Sequence, residues 1–130
     1  VTFVDSNVFI YAVGRPHPLR EEARRFLLDA PRSHGPLVTS AEVMQELLHV
    51  YLPVNRLDTL DDALRLAAAV TEEILPVTAE TVRHARNLVE QHPALTARDL
   101  LHLAVCEVHR ITALKTFDRA LRAAFAGRTH

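Results

Sequence analysis

The stretch VTFVDSNVFIYA (residues 1–12) sets two kinds of secondary structure side by side. Val1 to Val4 is an apolar, strand-favouring run, Asp5, Ser6 and Asn7 interrupt it, and apolar character resumes with Val8, Phe9, Ile10 and Tyr11. Asp, Ser and Asn are preferred helix N-caps because their oxygens accept hydrogen bonds from the unpaired N–H groups of a first helical turn. Asp5 or Ser6 can therefore be a cap and nothing more. A carboxylate at the carboxyl end of a strand in an open α/β sheet also points into the crevice where such folds bind ligands. By itself the stretch leaves both readings of Asp5 standing.

Similar short apolar runs recur at Leu37 to Thr39, Ile74 to Val77 and Thr112 to Lys115, which with Thr2 to Val4 makes four candidate strands. Between them lie segments of helical periodicity: Leu19 to Leu28, Ala41 to Tyr51, Leu57 to Val70, Ala79 to Val89 and Leu100 to Val108. Pro16, Pro18, Pro31, Pro36, Pro53 and Pro93 fall between the helical patterns, whereas Pro76 sits within a candidate strand and moves it to a sheet edge. The order is βααβααβααβα, which predicts an α/β protein with helices on both faces of a small, mostly parallel sheet. No repeat or flexible linker divides the 130 residues, so one domain over 1–130 is expected. Asp58 marks a helix start, Thr96 and Asp99 form an approximate capping box, and Asp118 opens the last helix.

Fifteen basic residues against sixteen acidic ones give a formal charge of -1, so no overall positive field points to nucleic acid. A nucleic-acid substrate would need a local basic patch. No apolar run reaches the length of a membrane span and no secretory leader pattern opens the sequence, which leads to the expectation of a cytoplasmic protein with no membrane partner. Cys106 is the only cysteine, which excludes an internal disulfide.

Asp5, Asp99 and Asp118 each fall where a strand or loop hands over to a helix. In a parallel sheet the strand ends that precede crossovers share one edge, so Asp5 and Asp118 meet there. The helix opened by Asp99 runs antiparallel to the strand that follows it, which brings its first turn to the same edge. Glu42 and Glu46, four apart on one helical face after the second strand, supply a fourth candidate that spacing cannot resolve. Like charges gathered in this way call for a cation, and oxygen donors without a thiolate suit Mg²⁺ or Mn²⁺.

The same residues resemble the PIN-domain nucleases, and among them the VapC-type toxins of toxin–antitoxin pairs. VDSNVFIYA is similar to the family's opening strand and motif, TSAEVMQELLHV to its Ser followed six residues later by Glu, and ARDLLHLAVCEVHRITALKTFDRAL to its last two blocks. The resemblance implies a three-layer α/β/α fold with strand order 3-2-1-4-5. It implies metal-dependent cleavage of RNA by a Mg²⁺ or Mn²⁺ site made of Asp5, Glu46, Asp99 and Asp118, with Asn7 and Thr116 as supporting polar groups. A cognate antitoxin protein and a homodimer are the partners it suggests. No clear segment for a fifth strand follows the last helix. A non-catalytic RNA- or protein-binding module and a housekeeping RNA-processing nuclease use the same residues and stay open, and a phosphotransfer domain with Asp5 as nucleophile is a further alternative.

The stretch RPHPLREEARRF concentrates Arg15, His17, Arg20, Arg24 and Arg25. It reads either as a phosphate contact or as a solvated helix face with Glu21 and Glu22 paired to Arg24 and Arg25. Arg98, Arg119 and Arg15 are the candidate RNA contacts, though Arg98 and Arg119 can equally pair with the adjacent acids. His102, Cys106 and His109 share a helical face, but the helix is almost wholly apolar, which favours a core histidine, a buried thiol and an exposed His109 over a zinc site. Tyr11, Leu27, Leu48 and Tyr51 are either core or an exposed patch for a second copy or an antitoxin helix.

Overall fold

The structure is a computed structural model that describes residues 1–128. Its elements follow one another as β1 (Thr2–Val4), α1 (Ser6–Val13), α2 (Arg20–Ser33), β2 (Leu37–Ser40), α3 (Ala41–Tyr51), α4 (Leu57–Val70), β3 (Glu73–Leu75), α5 (Ala79–Asn87), α6 (Ala97–Val108), β4 (Ala113–Lys115) and α7 (Arg119–Ala126). The βααβααβααβα order expected from periodicity is therefore the observed one. All pairings are parallel and the sheet order is β3-β2-β1-β4. Helices α1 to α4 pack on one another and α5 to α7 on one another, which makes the three-layer α/β/α arrangement. The order reproduces the first four strands of the expected 3-2-1-4-5, and no fifth strand is found among the described residues.

This order fixes where a ligand can bind. From β1 the chain moves outward through β2 to β3, then returns to the opposite side of β1 for β4. The strand order thus reverses between β1 and β4, and open parallel sheets bind ligands at the carboxyl ends of strands beside such a reversal. Residues 2–4 of β1 are all buried, as a central strand covered on both faces requires. Phe3, Val4, Val8, Phe9, Val43 and Leu47 form the centre of the core beneath this edge.

Several local expectations change. Helix α2 continues through Pro31 to Ser33 where a stop was expected, and Ala30 just before the proline is buried in the core. Helix α4 starts at Leu57, so Asp58 lies in its first turn without capping it. Strand β3 ends at Leu75, immediately before Pro76, and begins earlier than expected at Glu73. Proline has no N–H to give a ladder, and β3 is an edge strand as Pro76 implied. Leu27 and Tyr51 are buried, so the four-residue patch with Tyr11 and Leu48 does not exist. Exposed apolar residues instead run from Leu48 and Val50 through Leu52 and Val54 to Leu57, where α3 hands over to α4.

The basic stretch has a structural use that neither expectation included. Arg20 Nη2 donates to the Gly14 carbonyl at 2.6 Å and Arg24 Nε to the Ala12 carbonyl at 2.8 Å. These are carbonyls at the carboxyl end of α1, which lack intrahelical donors and carry partial negative charge. Glu22 pairs with Lys115 at 3.3 Å, and among the described residues no ion pair joins Glu21 or Glu22 to Arg24 or Arg25. Replacing Arg24 by Ala is expected to destabilise the fold by about 1–2 kcal/mol, between an ordinary hydrogen bond and one to a charged group, since the bond is part-buried and the residue itself exposed. Urea unfolding of the variant against the parent protein measures this.

Candidate active site

Asp5 is the N-cap of α1: its carboxylate accepts the Ser6 N–H at 2.7 Å. The bland reading of this residue is therefore correct, and it is incomplete. The other carboxylate oxygen accepts the Thr116 hydroxyl at 2.7 Å and the Asn7 amide at 3.3 Å. Asn7 also donates to Thr116 Oγ1 at 3.2 Å, and its own oxygen accepts the Phe117 N–H at 3.2 Å. Asp5 N–H donates to the Lys115 carbonyl at 3.0 Å. The end of β1 and the end of β4 are thus tied together through one buried acid, which is only 4% exposed.

Glu46 comes from the second turn of α3, whose N-cap Ser40 ends β2. One of its oxygens accepts the Ser6 hydroxyl at 3.0 Å, so the first residue of α1 holds an acid from α3. The other oxygen meets His102 Nε2 at 2.5 Å, and the same nitrogen lies 3.4 Å from Asp5. Ligand-capable atoms of Asp5, Glu46 and His102 all fall within 4.8 Å of one another. His102 Nε2 faces two carboxylates, which accept when ionised, so a proton on this nitrogen serves both, and Nδ1 is buried without a partner among the described residues.

The electrostatics follow from burial and this geometry. Burial raises the Asp5 carboxyl above its ordinary range, against the opposing effects of His102 and the Thr116 hydrogen bond. Glu46 is also pushed up by burial, but the hydrogen bond and charge of His102 outweigh this and leave it lowered. His102 is pulled down by burial and raised on balance by Glu46 and Asp5.

The remaining expected acids sit differently. Asp99 and Asp118 are outside the group defined by Asp5, Glu46 and His102. Asp99 completes the capping box of α6, accepting the Thr96 N–H at 3.3 Å, while its charge still acts on His102. Asp118 caps α7 by accepting the Leu121 N–H at 2.8 Å, and its own N–H donates to Thr116 Oγ1 at 3.0 Å. Glu42 stands apart from the cluster, 3.9 Å from Arg98, so the pair that spacing left unresolved is separated by geometry. Arg119 is exposed, and among the described residues it pairs with no acid.

His102 is the site residue that sequence reasoning assigned only to the core. Its burial is as expected, at 2% exposed, but its imidazole faces the acids. The available signal was its position three residues after Asp99, one turn along the face that Asp99 opens. Cys106 is buried, with its thiol pushed up to about 12 by burial, and His109 is exposed at the end of α6. The zinc pattern on this helix therefore does not assemble.

The profile of the PIN domain family matches residues 2–125, and the chain belongs to that family. Within it the chain is of VapC type. It is 58% identical to ribonuclease VapC23 of Mycobacterium tuberculosis, with 95% of this chain and 97% of that protein covered. It is 41% identical to VapC ribonuclease Mb1869c of Mycobacterium bovis, over 89% and 88% of the two chains. The crystal structure of Mycobacterium tuberculosis VapC20, described as a Sarcin-Ricin loop cleaving toxin, shares the fold with a TM-score of 0.76 at 22% identity, covering 95% of each chain.

Two outcomes test this local structure. Thr116→Val removes the hydroxyl that Asp5, Asn7 and the Asp118 N–H all use, and is expected to cost roughly 1–3 kcal/mol, whereas Thr116→Ser retains most of the stability in thermal unfolding. Cys106 is expected to resist thiol-labelling reagents at pH 8 in the folded protein and to react fully once denaturant unfolds it, because the thiol is buried and held at about 12.

Proposed function

We propose that this protein is a metal-dependent endoribonuclease and the toxin of a toxin–antitoxin pair, with Asp5 and Glu46 as its central metal-binding acids. The observation that carries the reading is the pairing of these carboxylates at the β1–β4 reversal of a chain 58% identical to a ribonuclease. The donor set fits a hard divalent cation: two carboxylates lie close together, and burial disfavours the charge on Asp5 unless a positive partner is present. Mg²⁺ or Mn²⁺ held there would polarise a water for attack on the phosphodiester and offset the charge on the leaving oxygen.

The chain's own residues supply the rest. Thr116 and Asn7 hold the Asp5 carboxylate in one orientation, and Ser6 and His102 do the same for Glu46. Asp99, in the first turn of α6, and Asp118, at the N-cap of α7, are the proposed outer acids, which would add negative charge around a bound cation. Arg98, Arg119 and Arg15 are the proposed contacts to RNA phosphates; Arg119 and Arg15 are exposed and Arg98 partly so. A cognate antitoxin is the proposed protein partner. The exposed Leu48, Leu52 and Leu57 are the proposed surface for a homodimer.

Incubation of the protein with structured and unstructured RNAs in Mn²⁺, Mg²⁺ or EDTA tests the reading. Cleavage is expected with a divalent cation and not in EDTA. Asp5→Asn and Glu46→Gln are each expected to reduce it by on the order of a hundredfold or more, the scale of losing a group that stabilises the transition state, while circular dichroism remains that of the folded protein. RNA binding without cleavage under every metal would make the protein a binding module. Phosphate incorporation into Asp5 would make it a phosphotransfer domain.

A further inference from the structure

A cavity of about 390 Å³ opens between the carboxyl-terminal ends of α1, which Asp5 caps, and α3, which carries Glu46 in its second turn. Tyr11, Gly14, Arg15, His17, Tyr51 and Arg56 are among its walls. We propose that this cavity is a nucleobase subsite, which seats one base of the RNA substrate next to the phosphate at the acids. The proposal rests on the ribonuclease reading above and adds a specificity determinant to it.

Four observations carry it. First, position: Tyr11 is one helical turn beyond Asn7 on α1, and Val50, at the cavity rim, is one turn beyond Glu46 on α3. Along the helix axes the α1 wall from Tyr11 to Gly14 is therefore roughly 9–14 Å from Asp5 and the α3 wall at Val50 and Tyr51 roughly 6–8 Å from Glu46, a span that about two nucleotide linkages bridge. Second, stacking: the His17 and Tyr11 rings lie 4.2 Å apart and 14° from parallel. The Leu19 N–H donates to His17 Nδ1 at 3.0 Å and pins the imidazole in that plane, and the residue is exposed, so its second face is open to a base. Aromatic faces take bases of any sequence, and this is the common way that proteins hold unpaired nucleotides.

Third, an unused polar group: Tyr51 is 5% exposed and its hydroxyl has no hydrogen-bond partner among the described residues. Buried hydroxyls are normally paired, and one left unpaired in a cavity wall can donate to or accept from a base edge. Gly14 lies beside this hydroxyl and is required by the close approach of the Ile10 carbonyl. A Cβ there would lie 2.7 Å from the Ile10 carbonyl and 3.7 Å from the Tyr51 hydroxyl. Fourth, charge: Arg15 and Arg56 flank the cavity, and among the described residues neither is in an ion pair with an acid. They offer guanidinium groups to the phosphates on either side of the base. An apolar cavity with a few convergent polar groups in this size range is the usual form of a small-ligand pocket.

The test is photo-cross-linking of the full chain to random oligoribonucleotides substituted with 4-thiouridine, in EDTA so that cleavage does not intervene, with adducts mapped by mass spectrometry. Adducts are expected on Tyr11, His17 or Tyr51, and His17→Ala is expected to lower their yield roughly five- to hundredfold, the range for loss of one base stack. Tyr51→Phe removes only the unpartnered hydroxyl, which the fold does not use, and is expected to flatten the base preference at one position beside the cleavage site. Adducts confined to other surfaces would overturn the proposal, as would yields and preferences unchanged in both variants. Variants that alter the sedimentation of the protein while RNA adducts map elsewhere would make the cavity a protein interface and equally overturn it. RNA held in the cavity by a protein that never cleaves would sink the nuclease reading and leave the subsite standing. Cleavage with preferences untouched by either variant would do the reverse.

Discussion

The parallel pairing of β1 with β4 ends in a single buried carboxylate, and the active edge of the protein is organised around it. Asp5 continues the ladder with its backbone N–H on Lys115, then turns the chain into α1 by capping it. Its second oxygen reaches across to Thr116 and fixes how the residues after β4 leave the sheet. The start of α1, the loop into α7 and the position of Asn7 therefore share one anchor. Loss of that anchor would not remove a single contact; it would release two elements at the place where the sheet order reverses.

A buried acid beside a second acid is a poor choice for stability alone, since desolvation penalises the charged form and each charge repels the other. The fold offsets this with His102, which faces both acids from α6, the helix on the other side of the cluster. The imidazole gives the pair a proton donor when no cation is bound, and it spans the helices of both layers. Hydrogen bonds from Ser6, Asn7, Thr116 and His102 orient both carboxylates, and the donor set suits a divalent cation.

Much of the architecture was legible in the sequence because β1, α3 and α4 are locally consistent. Apolar periodicity gave Ala41–Tyr51 and Leu57–Val70 to the residue, and the order of strands and helices followed. The failures have separate causes. Pro31 and the loss of periodicity after Leu28 read as a stop, yet Ala30 still packs in the core and the helix carries on. Arg20 and Arg24 looked like surface charge because their carbonyl partners lie in a different helix. At the site, Asp5 was readable from its place at a strand end, whereas Glu42 and Glu46 share a face and periodicity cannot choose between them. The second role of His102 depends on Glu46, which is 56 positions away, and no local pattern encodes such a contact.

Among the described residues the sheet ends on both sides in strands of only three residues, β3 and β4. An unpaired strand edge is a template for another chain's backbone, and its appeal grows with length and flatness. Here β3 is closed off by Pro76 and carries Glu73 at its start, and β4 is preceded by Arg110 in the left-handed region and lies near Arg128, which bonds the Ile111 carbonyl at 3.0 Å. Neither edge offers a run long enough to recruit a neighbouring sheet into a continuous ribbon. Self-association of this chain is thereby steered away from open-ended polymer growth and towards contacts between helices, which can close.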